Sequence, residues 1–256
     1  MRDQRAEALA RILVGYSTAV KKDDVCIIGG ETTSEPLAMP VYEEIVKAGG
    51  HAIVNMSLDG QAPAFFGNAS DAQLDWISPP AQWAAENADV TIRLAAESNT
   101  RALSNVPPER QTRRQTASRP LMEKTMKRSA EGDLRWVVTL FPTPAYAAEA
   151  NMSLADYEDF YYRACLCDRD DPVAAWKQTS EETRRLADWM VGKEEVQITG
   201  PGTDLRLNIA GRTFIAPTED TTCPTASSSP VPSRIRPAVR SAFPFRRSTQ
   251  GVRCRE

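Results

Sequence analysis

A single histidine, His51, is the whole imidazole supply of this 256-residue chain. Any catalytic triad or metal site that needs two imidazoles is therefore out of reach within this sequence. His51 follows Gly49-Gly50 at the start of an apolar run, a setting that predicts a structural or surface residue. Cys165-Leu-Cys167 lies on a segment that reads as helix. Positions i and i+2 point apart on a helix, which favours buried thiols over a metal site or a local disulfide. Five cysteines scattered through an ordinary composition do not make a disulfide framework.

Two glycine-containing stretches invite a phosphate-loop reading. Gly200-Pro-Gly202 follows a strand, but another strand comes next rather than a helix, so turn chemistry is expected. Gly29-Gly30-Glu31-Thr32-Thr33 follows a strand and precedes a helix, the place where open α/β sheets bind ligands. The G-x-G-x-x-G fingerprint is missing there, so a dinucleotide is not expected, and Gly29–Ser34 is left as a small-ligand loop. The carboxylate pairs Glu43-Glu44, Glu181-Glu182 and Glu194-Glu195 read as solvated faces. Asp168, Asp170 and Asp171 precede a helix at Pro172, where acids suit the helix dipole. Arg110, Arg113 and Arg114 form a basic helix face interrupted by acids and proline. The tail arginines could touch nucleic acid electrostatically, but no aromatic interleaving supports a sequence-reading module.

The elements that must hold these groups alternate in type. Leu9, Ile12, Leu13, Tyr16 and Val20 recur at helical spacing, predicting an amphipathic helix over Gln4–Val20. Strands are expected at Val25–Ile28, His51–Met56, Val90–Leu94 and Leu134–Leu140, with helices at Val41–Ala48, Gln82–Asn87 and Pro108–Glu131. That alternation predicts an α/β fold, a parallel sheet flanked by helices. Ser153-Leu-Ala-Asp156 opens a helix to about Leu166, and Pro172 opens another ending near Gly192. The period then changes. Glu195–Thr199 and Leu205–Ile209 alternate as strands of a hairpin. The expected organisation is an N-terminal α/β domain at 1–192, the start of a second domain at 193–216, and a tail at 217–256.

The tail differs in chemistry. It holds seven Arg, no Lys and three acids, a net of +4 against −3 for the whole chain. Six Pro, six Ser and five Thr accompany them, a composition that buries too little apolar surface to offset ordering entropy and predicts disorder. Overall charge is near balance, 31 basic to 34 acidic residues, so no global field recruits nucleic acid or an anionic membrane. No apolar run reaches the roughly 18 residues of a membrane span. The opening MRDQRAEALARILVGY lacks the apolar core of a secretory leader. A cytoplasmic protein with no membrane partner is expected.

Several ordered stretches carry a family resemblance. They are Leu9-Ala-Arg-Ile-Leu-Val-Gly-Tyr16, Asn99-Thr-Arg-Ala-Leu103, Leu140-Phe-Pro-Thr-Pro-Ala-Tyr146 and Met152-Ser-Leu-Ala-Asp-Tyr-Glu-Asp-Phe160. Further along come Asp171-Pro-Val-Ala-Ala-Trp176, Leu186-Ala-Asp-Trp189, Gly200-Pro-Gly-Thr-Asp-Leu205 and Ala210-Gly-Arg-Thr-Phe214. Together, over residues 6–216, they resemble the thermophilic metallo-aminopeptidases of the aminopeptidase T and S group. The resemblance implies an N-terminal α/β domain ahead of a catalytic domain that binds two divalent metal ions (zinc, cobalt or magnesium) through glutamates, histidines and an aspartate. It also implies homodimers that release N-terminal residues from peptides. A metal-bridged water is the nucleophile of that hydrolysis and the metals polarise the scissile carbonyl.

The chain departs from the family where that chemistry begins. After Phe214 the family runs into a segment of the form M-P-D-G-E-[VL]-F-T-G-P-V-E-D-S, whose first glutamate is a ligand. Here the chain reads Thr222-Cys-Pro-Thr-Ala-Ser-Ser-Ser-Pro230. The remaining ligands would fall past Glu256. No catalytic, cofactor-binding or metal-ligating residue is therefore assigned to this chain, and no metal is expected to bind it. The tail's codons suggest why. Glu219-Asp-Thr-Thr-Cys-Pro224 can be written GAG GAC ACA ACA TGC CCG, and reading from the third base gives Gly-His-Asn-Met-Pro. Permitted codons through Pro230 continue as Asp-Gly-Glu-Leu-Phe-Thr, which is the family segment. A reading-frame shift near Ala216–Asp220 is inferred, leaving a truncated, inactive aminopeptidase. The alternative is a non-catalytic α/β domain that pairs with an intact relative.

Overall fold

The computed structural model describes residues 3–214 together with the strand Val252–Arg255. Its described residues fall into two compact units that divide between Ala175 and Trp176. That division lies inside the helix Pro172–Met190, ahead of the change of element type at Glu195.

The first unit is built on four parallel strands, β1 (Val25–Glu31), β2 (His51–Ser57), β3 (Val90–Ala95) and β4 (Arg135–Leu140), in the order β2-β1-β3-β4. In register, Val25 pairs with His51, Cys26 with Val90, and Val90 with Arg135. The expected parallel α/β architecture is present. Helices α1 (Gln4–Arg11) and α2 (Glu35–Lys47) lie close together. Leu9, Ile12, Leu13 and Tyr16 are almost wholly buried, each burial worth about 1.5–3 kcal/mol. Cys26 and Ile28 of β1 are buried to one side of the sheet. Ile27 points the other way, into a cluster with Ala84, Ala88 and Leu134.

Local details correct several expectations. The first helix does not run regularly to Val20. Residues Ile12–Ser17 form a π-helical turn, and the chain leaves it through Ala19 at φ +41°. The helix α2 starts at Glu35 rather than Val41, with Pro36 in its first turn and Pro40 inside it. A first-turn proline loses no helical bond. The one bond lost at Pro40 is tolerated because Leu37, Val41 and Ile45 are fully buried. Helix α6 (Pro108–Glu131) matches its expected span, ending on Gly132 at φ +82°. Three short helices were not anticipated: α3 (Gln61–Asn68), α4 (Asp71–Asp75) and α7 (Pro144–Glu149). Helix α5 (Pro79–Asn87) begins before the expected Gln82. Helix α8 (Leu154–Ala164) is capped by the Ser153 hydroxyl, which accepts from the Asp156 amide at 3.1 Å.

In the second unit the rest of α9 (Pro172–Met190) is followed by the hairpin of β5 (Glu195–Gly200) and β6 (Thr203–Asn208). Antiparallel pairing runs from Glu195–Asn208 to Gly200–Thr203, and Gly202 takes the φ of +72° that the tight turn requires. The Gly200-Pro-Gly202 stretch is thus a turn, as its sequence context implied. Val252–Arg255 forms β7, antiparallel to β5. The rest of the tail, where disorder was expected, lies outside the described residues. Among the described residues no helix is long and apolar enough to cross a membrane.

Candidate functional site

The strand order reverses direction at β1: the chain goes from β1 outward to β2, then returns to the other side as β3. Loops leaving β1 and β3 at their carboxyl ends therefore diverge and open a crevice. A cavity of about 640 Å³ lies there, bounded by Glu31, Ser57–Gln61, Arg93, Glu97–Thr100 and Arg114, with Phe65 and Trp76 as aromatic walls.

Its floor is tied across the two diverging strands. The Glu31 carboxylate accepts from the Ala96 amide at 2.8 Å and stands 3.9 Å from the Arg93 guanidinium. The Thr33 hydroxyl donates to the Ala96 carbonyl, and the Ser34 hydroxyl to that of Glu31 at 2.7 Å. The expected glycine loop is thus the end of a strand, with Thr32–Ser34 forming a short 3-10 turn. Gly30 is required by close approach: a Cβ there would lie 2.3 Å from the Leu94 carbonyl oxygen. Gly30→Ala should force β1 and β3 apart and lower stability by about 1–3 kcal/mol. Gly29→Ala, whose Cβ would meet only Asn55 O at 3.7 Å, should be nearly silent in the same urea titration.

The rim is set by segments flagged in the sequence. In the Asn99–Leu103 stretch, the Asn99 side chain accepts from the Arg101 amide at 2.9 Å, and Thr100 and Arg101 hold Glu149 at 2.9 and 3.2 Å. From the Leu140–Tyr146 stretch, the Thr143 hydroxyl donates to the Glu97 carbonyl at 2.8 Å, and the Tyr146 hydroxyl accepts from its amide at 3.2 Å. Burial raises the Tyr146 phenol above its ordinary pKa, so it stays neutral. Ser98 donates to Asp59, which follows β2. Two resembling stretches therefore converge at the carboxyl end of the sheet. Asp59, Arg93 and Arg114 were not singled out as ligand-facing in the sequence, because they belong to three separate elements with no shared motif.

The basic face of α6 is engaged by the short helices before it in the chain. Arg110 donates to the carbonyls of Phe66 (2.9 Å) and Ala69. Arg113 grips Asp75 with two bonds of 2.8 and 2.6 Å, which hold the Asp75 carboxyl below its usual range. Arg114 donates to Trp76 O at 2.6 Å and lies 5.7 Å from the Phe65 ring.

The crevice presents both signs of charge, two arginines against Glu31, Asp59 and Glu97, with the Ser98 hydroxyl held on the Asp59 carboxylate. His51 sits at the opposite end of the sheet, exposed, its Nε2 3.8 Å from Asp23. Among the described residues no three His, Cys, Asp or Glu side chains are grouped to hold a metal ion. Asp171 caps α9, accepting from the Ala174 amide at 2.9 Å.

Cys26, Cys165 and Cys167 are buried thiols, none of them in a disulfide. The cysteine pair lies past the end of α8, with Leu166 at φ +57°, so burial rather than helical geometry keeps it inert. Burial pushes the Cys26 and Cys165 thiols up to about 12 and that of Cys167 higher still. The thiolate is the reactive form, so at pH 8 these three should resist iodoacetamide in the native chain and label fully in denaturant. Peptide mapping that found any of the three labelled natively would contradict this burial.

Comparison with known proteins places these features in context. The model of the thermophilic metalloprotease (M29) family matches residues 2–234. Aminopeptidase T of Thermus aquaticus is 29% identical over 127 residues, 46% of this chain and 31% of that protein. Aminopeptidase 2 of Geobacillus stearothermophilus is 29% identical over 107 residues, 39% of this chain and 26% of its own length. The matched stretch thus spans between a quarter and a third of these relatives' length. The structure of wild-type AmpT from Thermus thermophilus superposes with a TM-score of 0.63 at 19% identity, over 80% of this chain and 53% of that one. That likeness is one of fold.

Proposed function

Because the chain belongs to the thermophilic metalloprotease (M29) family, we propose that it descends from a metal-dependent aminopeptidase and, as written, carries the α/β part without the catalytic centre. The family match over residues 2–234 carries this reading. The intact ancestor would act in the cytoplasm as a homodimer, releasing N-terminal residues from peptides. When bound, a pair of divalent ions (zinc, cobalt or magnesium) would activate water and polarise the scissile carbonyl.

The described residues do not fit that metal pair. They include one exposed histidine and no group of three potential ligands, so no step of hydrolysis is assigned to them. The glutamate-bearing segment expected after Phe214 is missing from the written frame and recoverable from permitted codons in the shifted one. One finding weighs against placing the shift at Ala216–Asp220: the family match continues to residue 234, well past Ala216. Resequencing the locus across the codons for Phe214 to Arg234 settles the position. An unaltered frame throughout would sink the frame-shift reading and leave the tail as genuine protein.

A second reading is favoured by the crevice at the carboxyl ends of β1 and β3. It keeps its rim, floor and charges without any help from the second unit. In that reading the written chain is a non-catalytic module that pairs with an intact relative. Co-expression with such a relative, followed by sedimentation of the mixture, separates the two: mixed dimers support pairing, and separate species oppose it.

A further inference from the structure

The two edges of the parallel sheet differ. On the β4 edge Val137 and Thr139 are buried, and Thr139 shares a hydrogen bond of 2.7 Å with Tyr161. On the β2 edge no residue is buried: Ile53 is 41% and Val54 51% exposed. Beside it, α2 leaves Met39, Tyr42 and Val46 exposed, an apolar stripe at i, i+3 and i+7. A cavity of about 330 Å³ lies where strand and helix meet, lined by Val54, Met56, Met39, Tyr42, Ala38 and Glu35 among others. Exposed edges are normally protected by Lys, Pro or a bulge. The strand His51-Ala-Ile-Val-Asn-Met-Ser57 has no Lys, Arg, Asp, Glu or Pro.

We infer that this face is where two copies of the chain pair, β2 against β2 in antiparallel register about Val54, joining the two sheets into one. The occupant follows from self-complementarity. Antiparallel pairing about Val54 sets His51 opposite the second copy's Ser57, and Ala52 opposite its Met56. A two-fold axis normal to the sheet keeps both α2 helices on the same side and also antiparallel. Val54 and Tyr42 line the same small cavity, so one axis beside them serves strand and helix together. Met39 then faces the second copy's Val46, and the Tyr42 rings meet near the axis. Charge agrees with this direction. Glu35 opens α2 at the carboxyl end of the sheet and Lys47 closes it at the amino end, beside Lys22, which packs along Gly49. Antiparallel pairing brings each Glu35 towards the other copy's Lys47, whose exposed bond to Glu44 of its own helix is weak enough to exchange. A parallel arrangement would set like charges together. The inference deepens the homodimer of the proposed function by naming its face, and it needs no catalytic site.

Sedimentation of the full 28.2 kDa chain should give a dimer. Val54→Lys places two ammonium groups at the axis and should weaken dimerisation at least about tenfold, with helical circular dichroism unchanged. Met122→Lys, on the exposed face of α6, should leave it intact. In oxidised Val54→Cys a disulfide should join the copies, since residues astride the axis of an antiparallel pair lie within disulfide reach. A chain that stays monomeric overturns both the dimeric reading and this face. A dimer that persists in Val54→Lys and gives no cross-link through residue 54 overturns the face alone.

Discussion

Arg135→Met is expected to cost the first unit about 3–5 kcal/mol, a large share of a typical domain stability of about 5–15 kcal/mol. Arg135 opens β4 at the amino end of the sheet, and its side chain is 15% exposed against 12% for its partner Asp24. One guanidinium nitrogen donates to the carbonyls of Thr18 (2.8 Å) and Ala19 (2.6 Å), and another to the Asp24 carboxylate at 2.7 Å. These three acceptors come from two different segments. Thr18 ends the π-helical turn, with its hydroxyl on Leu13 O at 2.8 Å, and Ala19 is held at φ +41°. A non-glycine residue in that conformation is itself strained by about 1–2 kcal/mol. Removing the guanidinium leaves a carboxylate and two carbonyls short of a donor beneath a strained turn, where only a narrow opening admits water. Arg135→Lys should recover a minor part, because one ammonium lacks the planar fork that reaches all three acceptors. Asp24→Asn with Arg135→Met should cost less than the sum of the single changes, since the unpaired charge is gone. Urea unfolding followed by far-ultraviolet circular dichroism measures each value. A loss under about 1 kcal/mol for Arg135→Met would mean that the clamp carries little of the fold.

That clamp also marks where sequence reasoning stops. Alternating strands and helices were legible because apolar runs such as Val25–Ile28 are closed by glycines, and because α6 is bracketed by Pro108 and Gly132. The π-helical turn left no trace: Ile12 to Tyr16 keep apolar spacing that suits a regular helix equally well. Helix α3 was hidden by Pro63 and Gly67 and by the absence of any buried residue along it. Arg110 and Arg114 read only as part of an interrupted basic helix face because their acceptors, the Phe66, Ala69, Leu74 and Trp76 carbonyls, are some forty residues away. Main-chain acceptors carry no side-chain signature. The crevice was half visible. The Gly29–Ser34 loop and the Asn99–Leu103 stretch were each distinctive, whereas Asp59, Arg93 and Arg114 acquire meaning only once the sheet order puts them around one opening.

Aminopeptidase activity is expected to be absent from the written chain and present in a full-length chain read in the shifted frame. The ratio should be about a millionfold or more, because enzymes accelerate such reactions by at least that factor over background. The reason is donor chemistry. Water must be activated near neutral pH, and a carbonyl must be polarised at the same place. A pair of divalent ions does both, but only when carboxylates and imidazoles are gathered around it. The written chain has one histidine, and among its described residues no three potential ligands are grouped. Codons permitted in the shifted frame would restore a glutamate across Ala226 and Ser227, and with it the segment in which the resemblance places the first ligand. Restoring that residue alone should not suffice, since a single carboxylate holds no metal pair. The sequence that follows in the shifted frame must supply the rest. The assay follows release of free amino acids from unblocked peptides with added zinc, cobalt or magnesium, with and without chelator. Chelator-sensitive turnover by the written chain would overturn its predicted inactivity. A frame-restored chain that folds, binds divalent metal and still releases nothing would remove the aminopeptidase reading itself, leaving the crevice at the carboxyl ends of β1 and β3 as the surviving clue to function.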